Sequence, residues 1–401
     1  MPTLLDTLKH KSYIGVLGQL IKFAVVAPPM SYVGAGGTRK LCEHISRMGF
    51  RKILIVTDKP LVELGIVARA TEVLAEENRE FVIYDGVLPD PTLDLVEACV
   101  AMIGEQQCDS VLAIGGGSSI DTAKVAAAAA TNGGDARAMI GFFKAKVAPL
   151  PLFVIPTTSG TGSEVTFGAV ISDPVTHLKN IVGDTKLTPK AIALDPELLA
   201  GMPPAITAAT GMDALTHAVE AFVSPWRRPH SDAYAKSAIK MIFENLPVCH
   251  AEGGNLRARE QMAIAAFYAG MAINAAGCGN VHAIAHQLGG WYGTPHGLAN
   301  AVVMPQVLKF SKAEIVPRLA ELADLLELGQ RHDPPATKAD HFIQAIEQLN
   351  QALGIGPKLE AIKAQDIQAI AIKATSEGAG YPVPRLMDQQ QCEDMIRALC
   401  V

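Results

Sequence analysis

The chain has 401 residues, of which 49% are hydrophobic and 18% charged, a composition typical of a globular protein and unlike that of a disordered one. The net charge of −6 predicts no nucleic-acid partner. No apolar run reaches the roughly 20 residues of a membrane-spanning helix, and the N-terminus lacks a signal-peptide pattern, so no membrane association is expected. Seven cysteines without a CxxC pair favour reduced thiols and a cytoplasmic location.

Short β-branched runs alternate with helical stretches in the first half of the chain. Strands are predicted at Arg51–Asp58, Glu80–Val87, Asp109–Ser119 and Pro151–Gly160, with a helix at about Leu93–Gln107. This alternation predicts an α/β domain with a parallel sheet covered by helices. Ligands of such sheets bind in the loops that follow the carboxyl ends of the strands.

The pattern changes after Gly201–Pro204. Long segments rich in Ala, Leu, Ile, Met, Glu and Lys follow, with few β-branched runs, and they predict an all-α domain. The adjacent prolines Pro203 and Pro204 are a plausible domain boundary. We therefore predict an α/β domain over residues 1–203 and a helical domain over 204–401.

Two loops combine glycines with hydroxyl side chains. "AIGGGSSIDTAK" (Ala113–Lys124) predicts a strand, three glycines and a helix, an arrangement that suits phosphate binding, with Ser118 and Asp121 fitting a capping box. The alternative is a tight strand-to-helix turn with a capping box and no ligand. The spacing is not G-x-G-x-x-G, so the standard dinucleotide-binding fingerprint is absent. "PTTSGTGSEVT" (Pro156–Thr166) is the second loop. Two such loops on one sheet favour a nucleotide.

Asp58 closes the strand "ILIVTD". A carboxylate at this place is able to hold a ribose hydroxyl and to repel a 2′-phosphate. The alternative is a helix cap for the segment that begins at Pro60. The spacing leaves both interpretations open.

Histidines and one aspartate have the spacing of a metal site in the second half. Asp213 and His217 are four residues apart and share a helical face, as do His282 and His286, and His296 follows on a turn. An Asp–His ion pair, or a capping aspartate after a glycine, is the alternative for the first pair. There are five candidate ligands for about four places, and spacing does not identify the spare histidine. The residue types suit Fe²⁺, Zn²⁺, Ni²⁺ or Mn²⁺.

Taken together, "ILIVTDK", "GGGSSID", "PTTSGTGSEVT", "GMDALTHAVEAF" and "HAIAHQLGGWYGTPHG" resemble the iron-dependent (group III) alcohol dehydrogenases over nearly the whole chain. The resemblance implies an α/β N-terminal dinucleotide-binding domain with a parallel sheet and an all-α C-terminal metal-binding domain. It also implies reversible hydride transfer between a primary alcohol or diol and NAD, with Fe²⁺ as the metal and Zn²⁺ as the alternative. Family members are often dimers or larger, so a homo-oligomer is expected.

The resemblance also assigns individual residues. It implies metal ligands at Asp213, His217, His282 and His296, which leaves His286 near the nicotinamide as a catalytic proton-relay or positioning group. The implied cofactor-binding residues are Asp58, Gly116, Gly117, Ser118, Ser119, Thr157, Thr158, Thr166 and Lys179.

Two departures from the family pattern concern the substrate pocket and its rim. Gly293 replaces the Asp or Asn that many members have, and "YPVPR" (Tyr381–Arg385) replaces "NPR". No particular alcohol is therefore assigned, and the first 25 or so residues have no assigned role. The alternative functions are a glycerol-dehydrogenase-like zinc polyol oxidoreductase, an NAD- and metal-dependent lyase resembling dehydroquinate synthase, and a non-catalytic binding protein. The lyase requires a cluster of basic residues that the metal motifs lack.

Overall fold

The computed structural model describes residues 4–21, 27–174 and 179–401. The strands of these residues are β1 (Met30–Val33), β2 (Lys52–Val56), β3 (Glu80–Tyr84), β4 (Ser110–Gly115), β5 (Gly141–Phe142), β6 (Leu152–Pro156), β7 (Gly168–Ser172), β8 (Lys179–Gly183) and β9 (Ala191–Leu194). The α-helices are α1 (Leu4–Ile21), α2 (Gly37–Arg47), α3 (Lys59–Glu63), α4 (Ile66–Glu76), α5 (Leu93–Gln106), α6 (Gly117–Thr131), α7 (Pro196–Leu199), α8 (Pro204–Val223), α9 (Pro229–Ala251), α10 (Leu256–Ala276), α11 (Asn280–Tyr292), α12 (His296–Leu325), α13 (Pro335–Ala352), α14 (Ile367–Gly378) and α15 (Gln389–Ala398).

Six parallel strands form one sheet in the order β1-β9-β6-β4-β2-β3. The predicted strands are confirmed as β2, β3, β4 and β6, and the predicted helix is confirmed as α5. Strands β1 and β9 extend the sheet at one edge, and the sequence analysis did not predict them. A three-stranded sheet in the order β5-β8-β7 lies apart from the main sheet, and its strands β7 and β8 are antiparallel.

The central strands β2, β4 and β6 of the main sheet are buried on both faces, because nearly all of their residues are apolar. Alternate residues such as Ile53, Ile55 and Leu112 pack with residues of α2 and α4 in one core cluster. The intervening residues, such as Leu54 and Val111, have no exposed surface either. Helices α5 and α6 also pack on these strands. This is the packing expected of β-branched runs in a parallel sheet.

The chain divides into two compact units. The α/β unit comprises Val25–Met202 and Gly253–Gly270, and the helical unit comprises Met1–Ala24, Pro203–Glu252 and Met271–Val401. The predicted division at 203/204 stays a prediction. Met1–Ala24 precedes that position but belongs to the helical unit, and Gly253–Gly270 follows it but belongs to the α/β unit.

Specific contacts hold both of these segments. In the helical unit, the indole N–H of Trp226 donates to the carbonyl of Ile14 in α1 at 2.8 Å. In the α/β unit, the buried guanidinium of Arg259 donates to the carbonyls of Gly253 and Met202 at 2.9 and 3.0 Å. Such contacts join segments that are far apart in the sequence.

Helix α8 is at the centre of the helical unit, where it packs on α9 and α12, while α11 packs on α12 and α14. Pro204 occupies the first turn of α8, where its missing N–H costs no helical hydrogen bond. Among the described residues, no single helix has the length and apolar composition needed to cross a membrane; α10 and α11 meet these criteria only as a pair with a bend of 108°.

Candidate metal and cofactor sites

Helix α8 places three ionisable side chains on one face, at intervals of four and three residues. Asp213, His217 and Glu220 are 2%, 8% and 5% exposed, so this face is buried in the helical unit. Buried ionisable groups are costly unless they are paired or bind a metal. This face therefore calls for a compensating partner such as a metal ion or an ion pair.

Helices α11 and α12 supply the histidines. Helix α11 carries His282 and His286, which are 1% and 8% exposed. It ends at Gly293, whose φ of 64° is the left-handed conformation that commonly terminates a helix. Helix α12 begins three residues later at His296, so the turn brings this third histidine back toward α11.

The structure brings the predicted ligands together. One ligand atom from each of Asp213, His217 and His282 lies within 4.8 Å of the others. The rings of His217 and His282 are stacked, with centroids 4.7 Å apart. His296 joins this group through its Nε2, which lies 3.4 Å from Asp213 Oδ1. One carboxylate and three imidazoles therefore converge in the helical unit, where Asp213, His217 and His282 are buried and the His296 side chain is 28% exposed.

Asn300 lies among these groups, and the contacts of its amide show which kind of atom faces the centre of the site. Its Nδ2 lies 2.7 Å from Asp213 Oδ1, 3.2 Å from His296 Nε2 and 3.4 Å from His282 Nε2. Atoms that accept hydrogen bonds thus surround an electropositive N–H group. Asn300 has no exposed surface, and its Oδ1 has no hydrogen-bond partner among the described residues. This acceptor-rich set fits a divalent cation.

Glu220 is a residue of this site that the sequence analysis did not identify. Its carboxylate lies 2.7 Å from His282 Nδ1 and accepts the backbone N–H groups of Gly279 and Val281, each at 2.7 Å. Burial alone would lower the pKa of His282, but the charge of Glu220 and its hydrogen bond outweigh burial and raise it. A carboxylate on the outer nitrogen is the usual arrangement for a metal-binding imidazole.

His286 makes a separate set of contacts. Its Nδ1 lies 2.6 Å from Glu377 Oε1, and the same carboxylate accepts the Tyr381 hydroxyl and the Gln287 amide, each at 2.7 Å. The His286 ring is stacked on His296, with centroids 5.2 Å apart. Glu377 and Tyr381 lie about 90 positions beyond His286, and the sequence analysis did not assign them a role.

In the α/β unit, the predicted cofactor residues follow three neighbouring strands. Asp58 follows β2, the triple glycine follows β4 and Thr157 follows β6, and these strands are adjacent and parallel. The Thr157 N–H donates to the Gly115 carbonyl at 3.0 Å, which joins the two predicted loops. Their residues therefore lie at one edge of the sheet, where ligands of such sheets bind.

The triple glycine leads directly into helix α6. Gly116 is the N-cap, and Gly117, Ser118 and Ser119 form the first turn, without a side-chain cap. A Cβ on Gly117 would lie 2.6 Å from the Thr161 side chain, so only glycine permits this approach of the two loops. A helix N-terminus with free backbone N–H groups is suited to a phosphate.

The capping box predicted from Ser118 and Asp121 is wrong. Asp121 accepts the Ser163 hydroxyl at one oxygen and the Val170 N–H at the other, at 2.8 Å for the latter. Burial raises the pKa of Asp121 despite the opposing charge of Lys124. The carboxylate of Asp121 therefore contacts partners more than 40 residues away in the sequence instead of capping helix α6.

Lys124 fastens the second loop to α6. Its buried ammonium donates to the Ser163 hydroxyl at 3.1 Å, to the Thr166 carbonyl and hydroxyl at 2.8 and 3.0 Å, and to the Gly168 carbonyl at 2.7 Å. Burial lowers the pKa of Lys124 to about 8. Burial likewise raises the pKa of the neighbouring Glu164 to about 7. Thr166 is thus held inside a buried polar network.

Other predicted cofactor residues have structural contacts of their own. Asp58 caps α3 by accepting the Leu61 N–H at 3.0 Å, and burial raises its pKa. Lys179 begins β8 and lies 2.7 Å from Asp90. Thr158 lies beside Gly116, where a Cβ would be 3.3 Å from its hydroxyl. The cap at Asp58 occupies one carboxylate oxygen and does not exclude a ribose contact at the other.

Comparison with known proteins identifies the family of the whole chain. Residues 28–196 match the family described as "Iron-containing alcohol dehydrogenase", and residues 207–400 match its C-terminal counterpart, "Fe-containing alcohol dehydrogenase family, C-terminal". Alcohol dehydrogenase 4 of Saccharomyces cerevisiae is 38% identical over 92% of this chain and 96% of its own length. An NAD-dependent methanol dehydrogenase of Bacillus methanolicus is 37% identical over 92% and 98%.

A solved 1,3-propanediol oxidoreductase structure shares the fold, with a TM-score of 0.90 and 37% identity over 93% of this chain and 98% of that one. The predicted fold class, an α/β domain with a parallel sheet followed by a mainly helical domain, is therefore confirmed. The chain belongs to the iron-containing alcohol dehydrogenase family, and it is an alcohol dehydrogenase.

Proposed function

We propose that this enzyme transfers a hydride reversibly between a primary alcohol or diol and NAD, with the help of a divalent metal. The observation that carries the proposal is the convergence of Asp213, His217 and His282 in the helical unit, with His296 beside them. The name of the Bacillus methanolicus relative supports NAD as the cofactor. Family membership supports Fe²⁺ as the metal, and Zn²⁺ suits the same donor set.

The proposed metal ligands are Asp213, His217, His282 and His296. When bound, the metal supplies Lewis acidity toward the alcohol oxygen and NAD supplies the hydride acceptor. The chain itself fixes the ligands before binding, because Glu220 holds His282 and the three helices hold the donor atoms close together. Burial of Asp213, His217 and His282 limits their contact with bulk water and so strengthens their interaction with a cation.

The proposed cofactor residues lie in the α/β unit. Gly116, Gly117, Ser118 and Ser119 bind the pyrophosphate through the N-terminus of α6. The second loop contributes Thr157, Thr158 and Thr166, and Lys179 lies near the nicotinamide ribose. Asp58 holds a ribose hydroxyl of the adenosine half and disfavours a 2′-phosphate, which makes NAD the preferred cofactor over NADP.

His286 is the proposed catalytic residue. Its imidazole accepts the proton that the alcohol hydroxyl loses, since a neutral imidazole has one ring nitrogen with a free lone pair. The contact between its Nδ1 and Glu377 supports this role, because a carboxylate there stabilises the protonated ring. His286→Ala should lower turnover without loss of bound metal.

We also propose a cytoplasmic homo-oligomer, a dimer or larger, whose partners are small alcohols and aldehydes and include neither nucleic acid nor membrane. All seven cysteines are free thiols, which supports a reducing compartment. Light scattering of the purified protein would test the oligomeric state. The relatives are alcohol, methanol and propanediol dehydrogenases, so neither the polyol nor the lyase alternative is favoured.

The test is NADH formation by protein reconstituted with Fe²⁺ or Zn²⁺ under anaerobic conditions. The substrates are ethanol, 1-butanol, 1,2-propanediol, 1,3-propanediol and glycerol, with a chelator-treated sample as the control. We expect metal-dependent reduction of NAD by at least one primary alcohol or diol. A protein that binds NAD and metal yet turns over none of them would contradict the proposal.

A pair of matched variants ties the activity to the site. Asp213→Asn removes a proposed ligand charge and should abolish tight metal binding together with activity. Asp394→Asn removes the same charge from an aspartate side chain that is 63% exposed in the same unit, and should leave both unchanged. Equal metal content in the two variants would exclude Asp213 as a ligand.

A further inference from the structure

The segment Tyr381–Arg385 is linked to His286 through Glu377. Tyr381 begins the "YPVPR" stretch, and its hydroxyl donates to Glu377 Oε1 at 2.7 Å, the same oxygen that lies 2.6 Å from His286 Nδ1. The His286 side chain is 9% exposed and that of Glu377 is 25% exposed. These three side chains therefore form a continuous hydrogen-bonded row inside the helical unit.

Other contacts fix this row in place. The Gln287 amide donates to Glu377 Oε2 at 2.7 Å, so both carboxylate oxygens accept hydrogen bonds. Beyond Tyr381, the Arg385 carbonyl accepts the Asn280 amide at 3.0 Å, and the Arg385 guanidinium donates to the Phe310 carbonyl at 2.6 Å. The segment that carries Tyr381 is thus anchored to both α11 and α12.

The chemistry of the row determines the state of the imidazole. Burial alone would raise the pKa of Glu377, but its interactions with His286 and the hydrogen bond from Tyr381 outweigh burial and lower it, which favours the carboxylate form. An ionised carboxylate only accepts hydrogen bonds. His286 Nδ1 therefore carries the proton of the shared bond, and Nε2 keeps its lone pair.

We propose that Glu377 and Tyr381 are the positioning residues of His286: Glu377 fixes the tautomer and ring orientation, and the Tyr381 hydroxyl holds Glu377 in place. This inference rests on the proposed function, since it assigns His286 its role as proton acceptor. It makes Tyr381 a determinant of turnover in this chain.

The kinetic test uses Tyr381→Phe, which removes only the hydroxyl, and Glu377→Gln, which removes only the charge. With the metal-reconstituted enzyme, NAD and 1,3-propanediol or ethanol, we expect kcat to fall roughly 3–10-fold and 10–100-fold, respectively. The KM for NAD and the bound metal should stay within about twofold of wild type. Tyr292→Phe is the matched control, since its hydroxyl also donates to a carboxylate, Asp366, at 2.9 Å. It should leave kcat unchanged.

A double-mutant comparison separates positioning from a general structural role. If Glu377 and Tyr381 act through His286, neither substitution should lower kcat further in a His286→Ala background. Equal losses in both backgrounds would overturn the proposal, and so would an unchanged kcat in Tyr381→Phe.

A spectroscopic readout keeps the inference testable apart from activity. In protein labelled with ¹⁵N-histidine, the His286 signal, identified by its loss in His286→Ala, should show Nδ1 protonated and Nε2 unprotonated. Tyr381→Phe should shift this signal, whereas Tyr292→Phe should not. An enzyme that turns over no alcohol but shows the Nδ1-protonated form would refute the proposed function and leave the positioning role intact. An Nε2-protonated ring in an active enzyme would refute the positioning role alone.

Discussion

The close approach of helices α8 and α12 at Gly297 determines where His296 lies. Gly297 is the second residue of α12, and an added Cβ would lie 2.0 Å from the backbone oxygen of Ala209 in α8. Ordinary van der Waals contact begins at 3.4 Å, so Gly297→Ala must move the two backbones apart by about 1.4 Å. Backbone atoms of packed helices cannot rotate away as a flexible side chain does.

The displacement should affect both stability and metal binding. Overpacking a buried contact costs about 1–3 kcal/mol, and a unit of this size loses about 2–4 °C in melting temperature for each kcal/mol. His296 precedes Gly297 and lies 3.4 Å from Asp213, which is one helical turn beyond Ala209. Metal–ligand distances tolerate only about 0.2 Å, so the same shift should weaken metal binding.

The assay combines thermal unfolding followed by circular dichroism with metal analysis after dialysis against a weak chelator. Gly104→Ala is the control, because Gly104 lies in helix α5 and a Cβ there has no neighbour within 4 Å. That substitution should preserve or slightly raise stability, by up to about 1 kcal/mol. If Gly297→Ala melts at the wild-type temperature and retains its metal, the helix contact does not control the site and the reasoning fails.

Three further predictions concern charged groups. Burial raises the pKa of Glu164 from an ordinary value of 4.5 to about 7, so the folded state binds the proton more firmly and stability falls as pH rises between these values. Glu164→Gln should therefore gain about 3 kcal/mol in unfolding free energy relative to wild type between pH 4.5 and 8, measured by urea titration, and a pH-independent difference would contradict the argument. Glu220→Gln should lower metal affinity by about 10–100-fold in a chelator competition, since it removes the carboxylate charge that lies beside His282 Nδ1. Unchanged affinity would show that the contact is only structural. Asp58→Gly should raise the ratio of NADP to NAD turnover, and an unaltered ratio would remove the reason for choosing NAD.

The parts of the fold that the sequence predicted are those specified by short-range patterns. β-branched runs specified β2, β4 and β6, which are almost entirely buried, and also the edge strand β3, which is only partly buried. Strand β1 (Met30–Val33) is only four residues long and largely exposed, so it lacks such a run. Its place in the sheet comes from pairing with β9, more than 150 residues away.

The same distinction applies to the site. Asp213 and His217 share a helical face by spacing alone, and that spacing could also have identified Glu220, which is seven residues after Asp213 and therefore on the same face. Glu377 had no comparable signal, since it meets His286 across 91 residues. Asp121 shows the opposite error, because a local capping pattern was present but distant partners at Ser163 and Val170 occupied its carboxylate.

Helix α11 explains why sequence spacing could not choose between its two histidines. His282 and His286 lie one turn apart, and each has its Nδ1 within 2.7 Å of a glutamate, Glu220 for the first and Glu377 for the second. Both imidazoles are thus held by a glutamate at Nδ1, and they differ in the surroundings of the other ring nitrogen, Nε2. His282 Nε2 lies 3.9 Å from Asp213 and 3.4 Å from the Asn300 amide, toward which the other candidate ligands converge. This difference favours His282 as the ligand and His286 as the proton acceptor, and it depends on α8 and α12 rather than on any pattern within α11.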